Sequence, residues 1–167
     1  GNYAIYIDVN ASVGKNGERS FFEMDYENNR GMQAVNVDFN PPGDLIVDAI
    51  SHPYVVTAGD DMTITYNIMN LGPNVLEGFG CNDVFYLSTD YTFSPDDILL
   101  GNVEHEIVLP NYSYEEYDFT ANISGVPEGE YYIIIYTDAR NAFHEVDEEN
   151  NRAYSAYPFE VQVPELF

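Results

Sequence analysis

Apolar and polar residues alternate along most of the chain with a period of two. Asp61-Met-Thr-Ile-Thr-Tyr-Asn-Ile-Met69 is the clearest stretch, and residues 112–123 and 157–163 repeat the pattern. That period places successive side chains on opposite faces of a strand. Leu45-Ile-Val-Asp-Ala-Ile50, Asp83-Val-Phe-Tyr-Leu87 and Tyr131-Tyr-Ile-Ile-Ile-Tyr136 are short β-branched or aromatic runs that suit a pleated surface. Pro41-Pro42-Gly43, Ala58-Gly59-Asp60, Leu71-Gly72-Pro73-Asn74, Ser94-Pro95-Asp96 and Val126-Pro127-Glu128-Gly129 punctuate them as turns. No segment sustains a helical period with caps. Strands are therefore predicted over 44–50, 61–70, 82–88, 98–108, 112–123, 129–137 and 153–163, an all-β antiparallel Greek-key sandwich. In the strand at 131–136, Tyr131, Ile133 and Ile135 face one way and Tyr132, Ile134 and Tyr136 the other. A run apolar on both faces predicts a central strand covered on both sides, the second cover coming from a neighbouring module or chain.

The chain also repeats itself. Glu23-Met-Asp25-Tyr-Glu27-Asn28-Asn29-Arg30 recurs as Glu145-Val-Asp147-Glu-Glu149-Asn150-Asn151-Arg152. The flanks follow: Tyr3-Ala-Ile5-Tyr-Ile7 resembles Tyr131-Tyr-Ile133-Ile-Ile135, and Ala34-Val-Asn-Val37 resembles the segment from Phe159 to Val163. Self-similarity of this kind marks tandem modules. Residues 1–40 then read as the last two strands of a preceding, or intermolecularly completed, module, and 41–167 as a full one. Residues 3–8 and 32–39 are predicted to pair around the loop 10–20. Their apolar residues, Tyr3, Ile5 and Ile7 with Ala34, Val35 and Val37, find no partner strands of their own module within this sequence. Tyr3, Ile5, Ile7, Val35 and Val37 are accordingly the candidate assembly surface, offered to a neighbouring copy by strand addition.

The same residues carry a family resemblance. Asp44-Leu-Ile-Val, Thr63-Ile-Thr-Tyr-Asn-Ile-Met-Asn-Leu-Gly72, Val84-Phe-Tyr-Leu-Ser-Thr-Asp90 through Asp97-Ile-Leu-Leu-Gly101, and Gly129-x-Tyr131 to Asp138 are its pieces. The signature Glu145-x-Asp147-x-Glu149-Asn150-Asn151 closes it. Residues 43–163 resemble a CARDB domain, the cell-adhesion-related domain of bacteria and archaea, and 1–37 resemble the tail of another. The resemblance implies an immunoglobulin-like β-sandwich in secreted or cell-surface multidomain proteins. It brings no catalytic residues.

Charge narrows the partners. Among 167 residues, 29 Asp and Glu face 5 Lys and Arg, a formal net charge of −24. Such a surface repels nucleic-acid phosphates and anionic lipid, and no apolar run is long enough to span a membrane. A hydrophobic share of 45% excludes a disordered acidic tail. The single cysteine, Cys81, excludes an intramolecular disulfide and reads as a small buried hydrophobe. Three sequons, at Asn10, Asn111 and Asn122, are glycosylation candidates in a secretory setting.

Candidate chemistry sits in the acid loops. Asp138, Asn141, Glu145, Asp147 and Glu149 gather hard oxygens in one segment, and Asp8, Glu23, Asp25 and Glu27 repeat part of the set. Calcium is the cofactor such a set would take, although the EF-hand spacing is absent; the alternative is a solvated turn in which the Asn pair caps backbone groups. The sequence holds no HExxH, GxSxG or phosphate-binding glycine loop, so it reads as a non-enzyme. His105, on an alternating strand, reads as a surface or half-buried strand residue. The expected function is a structural or adhesion module of an extracellular tandem-repeat protein, assembling head-to-tail into filaments. Its partners would be neighbouring copies or modules, or surface glycans or proteins. The alternative is a carbohydrate- or protein-binding accessory module of a secreted enzyme.

Overall fold

A computed structural model describes residues 1–9, 24, 25, 27–38 and 40–164. They form two compact units, 1–40 and 41–167. In the first, β1 (Asn2–Asp8) pairs antiparallel with β2 (Arg30–Asn36), from Asn2 opposite Asn36 to Asp8 opposite Arg30. A single 3-10 turn, Glu27–Asn29, leads into β2. Directly opposed residues share a face. Tyr3, Ile5 and Ile7 therefore stand with Val35 and Gln33, whereas Ala34 falls on the other face, opposite Ala4 and beside Met32 and Tyr6. The expected grouping of Ala34 with Val35 is corrected by this register.

The second unit holds β3 (Leu45–Ser51), β4 (Val55–Thr57), β5 (Asp61–Asn70), β6 (Leu76–Ser88), β7 (Ile98–Leu109), β8 (Tyr114–Asn122), β9 (Gly129–Tyr136), β10 (Arg152–Tyr154) and β11 (Phe159–Gln162). One sheet has the order β3-β5-β8; the other runs β4-β11-β9-β6-β7, with β10 also on β9. It is an immunoglobulin-like β-sandwich. Its C-terminal strands differ from the sequence expectation. The strand expected at 153–163 is two strands, because the ladder breaks at Ser155: its N–H still donates to the Ile133 carbonyl (2.8 Å), but its Oγ takes the Ile133 N–H in return (3.0 Å) and donates to the Tyr157 carbonyl (3.0 Å). The sandwich is also not wholly antiparallel, since β11 pairs in parallel with the three-residue β4.

The repeat is visible in the pairing. Tyr3 faces Val35 and Asp8 faces Arg30; in the second unit Tyr131 faces Phe159 and Tyr136 faces Arg152. Counting from Tyr3 to Tyr131 and from Arg30 to Arg152, the Asp8–Arg30 end of one ladder matches the Tyr136–Arg152 end of the other, while two extra residues between Arg152 and Phe159 shift the far end. β1 is thus the counterpart of β9, and the unbroken β2 that of β10 and β11.

The core lies between the two sheets of the second unit. Leu45, Met62, Ile64, Tyr66 and Ile68 from one sheet meet Phe85, Leu87, Ile107, Ile133, Ile135, Phe159 and Val161 from the other. Phe85 stacks on Phe119 at 3.9 Å between centroids and meets Tyr66 edge-on at 5.2 Å. β9 is buried on both faces as expected, but this unit covers its outer face itself. The loop 89–97 folds over it: Tyr91 lies on Tyr132 (4.2 Å), Phe93 on Tyr86 (5.0 Å), and Arg152 spans Phe93 and Tyr136. Ile134 is fully buried there, outside the main core. No neighbouring chain is needed for that cover.

Candidate functional sites

Three places carry chemistry or contact surface. The first is the hairpin β1–β2. Tyr3, Ile5, Ile7 and Val37 are exposed and Val35 is half-buried. At its far end Arg30 grips Asp8 through two hydrogen bonds, 2.6 and 3.0 Å. The guanidinium holds the Asp8 carboxyl below its ordinary range. Asp8 is therefore an ion-pair partner. Asp25 turns on its own backbone, its Oδ1 accepting from Glu27 N–H at 2.9 Å, and Glu27 is exposed. Glu23 and Asn10 lie outside the described residues.

The second place is the segment 138–151. Its carboxylates point into the chain's own backbone. Asp138 accepts the amides of Ala142 and Phe143 (both 2.9 Å), and Asn141 takes a left-handed φ of 50° to make that turn. Asp147 accepts Glu149 N–H at 2.9 Å, the same local bond that Asp25 makes. Glu149 is exposed. The long-range bonds secure the start of the module. Glu145 accepts the Leu45 amide at one oxygen and Asn151 Nδ2 at the other (2.7 Å). Asp44 accepts from Asp147 N–H (3.2 Å) and Asn150 Nδ2 (3.1 Å), and the Gly43 carbonyl from Val146 N–H (3.0 Å). Gly43 must be glycine here: an added Cβ would sit 2.3 Å from the Leu76 side chain, and one on Gly72 only 2.4 Å from the Gly43 backbone. Asn70 completes the joint, accepting the Asp44 and Gly72 amides and donating to the Asn74 and Leu109 carbonyls. Burial pushes the Glu145 carboxyl up to about 7, against the opposing pull of the Leu45 and Asn151 donors. Burial raises Asp138 as well. Within the signature expected as a calcium loop, Glu145 and Asn150 fasten residues 43–45 to residues a hundred positions later.

Asn111 lies exposed in a turn. Asn122 is exposed too, but its amide donates to Gly59 O and Asp61 Oδ1 while its Oδ1 accepts Ser124 N–H.

The third place was not anticipated. Asp83 is completely buried on β6, in phase with the core residues Phe85 and Leu87. Four donors surround it. Tyr66 Oη gives to Oδ2 at 2.7 Å and His105 Nε2 to the same oxygen at 2.8 Å; Thr137 Oγ1 gives to Oδ1 at 2.7 Å, with Cys81 Sγ 3.7 Å away. His105 stands opposite Cys81 across the β6–β7 ladder, under the Tyr117 ring. Burial and the Asp83 charge push the Cys81 thiol up to about 12 and raise the Tyr66 phenol far above its usual range. Among the described residues, Cys81, Asp83 and His105 form a group of metal-ligating side chains whose ligand atoms lie within 4.8 Å of one another, and the acid loop contributes none. The sequence signal was present: a charged residue occupied an inward position of an alternating strand.

Comparison with known proteins follows the fold. The CARDB family model matches residues 41–155. The CARDB domain of a Pyrococcus furiosus protein, solved in complex with a pair of metal ions, superposes at a TM-score of 0.54 with 23% identity, covering 77% of this chain and 100% of that one. A domain of a protein described as a cell-surface protein of Methanosarcina acetivorans gives 0.53 and 20%, covering 74% and 94%. A β-glucosidase from Erythrobacter marinus gives 0.50 and 11%, covering 72% of this chain and 16% of the enzyme. No curated relative matches the sequence. Among the described residues, no helix is long and apolar enough to cross a membrane.

Proposed function

The chain belongs to the CARDB family of cell-surface-associated β modules, and we propose that it is a non-enzymatic spacing and adhesion module of an extracellular tandem-repeat protein. In this reading the hairpin β1–β2 is the C-terminal strand pair of another sandwich, completed by a preceding module or by a second copy adding its strands. One observation carries it: the hairpin keeps the pairing register of β9 with β10 while its apolar face stands in solvent. A two-stranded hairpin is marginal by itself, and an open apolar edge invites strand addition. The contact would be head-to-tail, and such contacts build open fibres unless the rotation closes a ring.

Sedimentation and electron microscopy across protein concentration test the reading. Concentration-dependent fibres that vanish in Ile5→Asp support completion by a second copy. A monomer whose hairpin amides become protected from exchange only when a further CARDB module is fused ahead of Gly1 supports completion in sequence. A compact monomer with residues 1–37 packed on its own sandwich overturns both.

The accessory-module alternative draws support from the ring cluster Tyr91, Tyr132 and Tyr154 on the outer face of β9. Glycan binding that Tyr91→Ala abolishes would favour it over the spacing role.

A further inference from the structure

We propose that Cys81, Asp83 and His105 form a binding site for a single zinc-class divalent cation in the interior of the sandwich. The placement comes from the strands. Cys81 and Asp83 are two apart on the inward side of β6, and His105 is the residue that β7 sets opposite Cys81. Their ligand atoms already lie within 4.8 Å of one another. Tetrahedral zinc holds its ligands at about 2.0–2.3 Å, so the ion would draw these atoms closer by modest side-chain rotations.

The carboxylate is held as a metal ligand is held. Tyr66 and Thr137 each donate to one of its oxygens at 2.7 Å, fixing its plane. Such outer contacts orient ligating groups and are part of a metal site's design. The donor set selects the ion. A thiol, an imidazole and one carboxylate suit zinc or cobalt, whereas calcium requires six or more oxygens. Access is available at the imidazole, whose side chain is 15% exposed, while the Asp83 side chain is fully shielded. The charges balance: a dipositive ion meets one carboxylate and one thiolate. Binding releases the thiol proton to solvent and moves the imidazole proton from Nε2 to Nδ1, a buried atom with no acceptor beside it, which costs part of the binding energy. Three protein ligands leave a fourth position for water.

Cobalt titration of the metal-stripped full chain is the test. The expected result is a thiolate-to-cobalt charge-transfer band in the near ultraviolet that saturates at one ion per chain and is displaced by zinc. One proton should appear per ion bound. The band should vanish in Cys81→Ser and persist in Asp147→Asn, which alters only the acid loop. Zinc should raise the melting temperature of the wild-type chain and not that of Cys81→Ser. Absence of the band from the wild-type chain overturns the site whether or not any variant folds. A zinc shift of equal size in Cys81→Ser and wild type also overturns it, by assigning the metal to surface carboxylates.

Discussion

Tyr3, Ile5 and Ile7 of β1 occupy the positions that Tyr131, Ile133 and Ile135 hold in β9, and the two strands have opposite surroundings. The first three are 62%, 54% and 64% exposed; the second three are 6%, 0% and 0%. The pairing register is the same where Asp8 meets Arg30 and Tyr136 meets Arg152, and it shifts by two residues at the other end of the ladder. Backbone pairing and the local turn of the signature are therefore properties of a short stretch of sequence. Burial is not: β9 gains it from β6 on its free edge and from the β3-β5-β8 sheet over its inward face. The signature divides in the same way. Its local bond, aspartate to the amide two residues on, forms in both copies at 2.9 Å, while the long-range bonds to Asp44 and Leu45 belong to the second.

The largest break in this comparison should come from a buried charge. Ile133→Asp should cost roughly 4 kcal/mol or more, enough to unfold a domain of ordinary stability. Ile5→Asp should leave the thermal melt of the sandwich unchanged, as read by circular dichroism. Equal damage from both would mean that β1 shares the core of the second unit.

Acidity should separate the two units next. The Glu145 carboxyl is raised to about 7 from an unfolded value of 4.5. The folded chain therefore binds more protons than the unfolded one between those values, and the Glu145 contribution to stability falls as pH rises from about 4.5 to 7. Urea midpoints across that window should slope downward relative to Glu145→Gln. Asp8 is shifted the other way by Arg30, so the hairpin should loosen as pH falls below the carboxylate range, visible in the Arg30 side-chain resonances. A slope at 4.5–7 that persists in Glu145→Gln would locate it elsewhere.

Asn150→Ala should remove the bond to Asp44 and lower stability by about 1 kcal/mol, a few degrees in melting temperature. Asn28→Ala, at the matching place in the hairpin, should change nothing until a completing module is supplied. The smallest effect should be calcium's. The described acid-loop carboxylates Asp138, Glu145 and Asp147 accept hydrogen bonds from the chain itself, so calcium and magnesium should raise the melting temperature equally at matched ionic strength, by screening the charge of −24. A larger shift with calcium would assign a cation to the loop.

Strand alternation made the sandwich legible, and the repeat made the two-unit division legible. What escaped depended on distance in sequence. β4 is three residues long and exists because β11, a hundred residues later, lies beside it. The first half of β6 was hidden by Gly78, Phe79 and Gly80; the register slips between Phe79 and Cys81, and Gly80 adopts a φ of 95° there. Glycine weakens a strand pattern while permitting the bulge that re-aims it. The latch roles of Glu145 and Asp44 could not be read from the sequence, since a latch and a calcium loop both ask for oxygens in a turn, and the latch depends on where the fold places the Leu45 amide. Asp83 broke the alternation of its own strand, a discrepancy that marks a buried polar centre before any coordinates exist.

The latch at residues 43–45 has a mechanical consequence. In a string of such modules under tension, a pull on the chain ahead of Pro41 enters this sandwich at Gly43, Asp44 and Leu45. The bonds it meets there include side chains from across the fold: Glu145 on the Leu45 amide, Asn150 on Asp44, and Asn70 at the corner. Load is thereby shared among β3, the end of β5 and the segment before β10 at the moment it arrives, so β3 is not peeled from one end. Modules fastened in this way would yield as whole units at a defined force, and the string would lengthen in discrete steps.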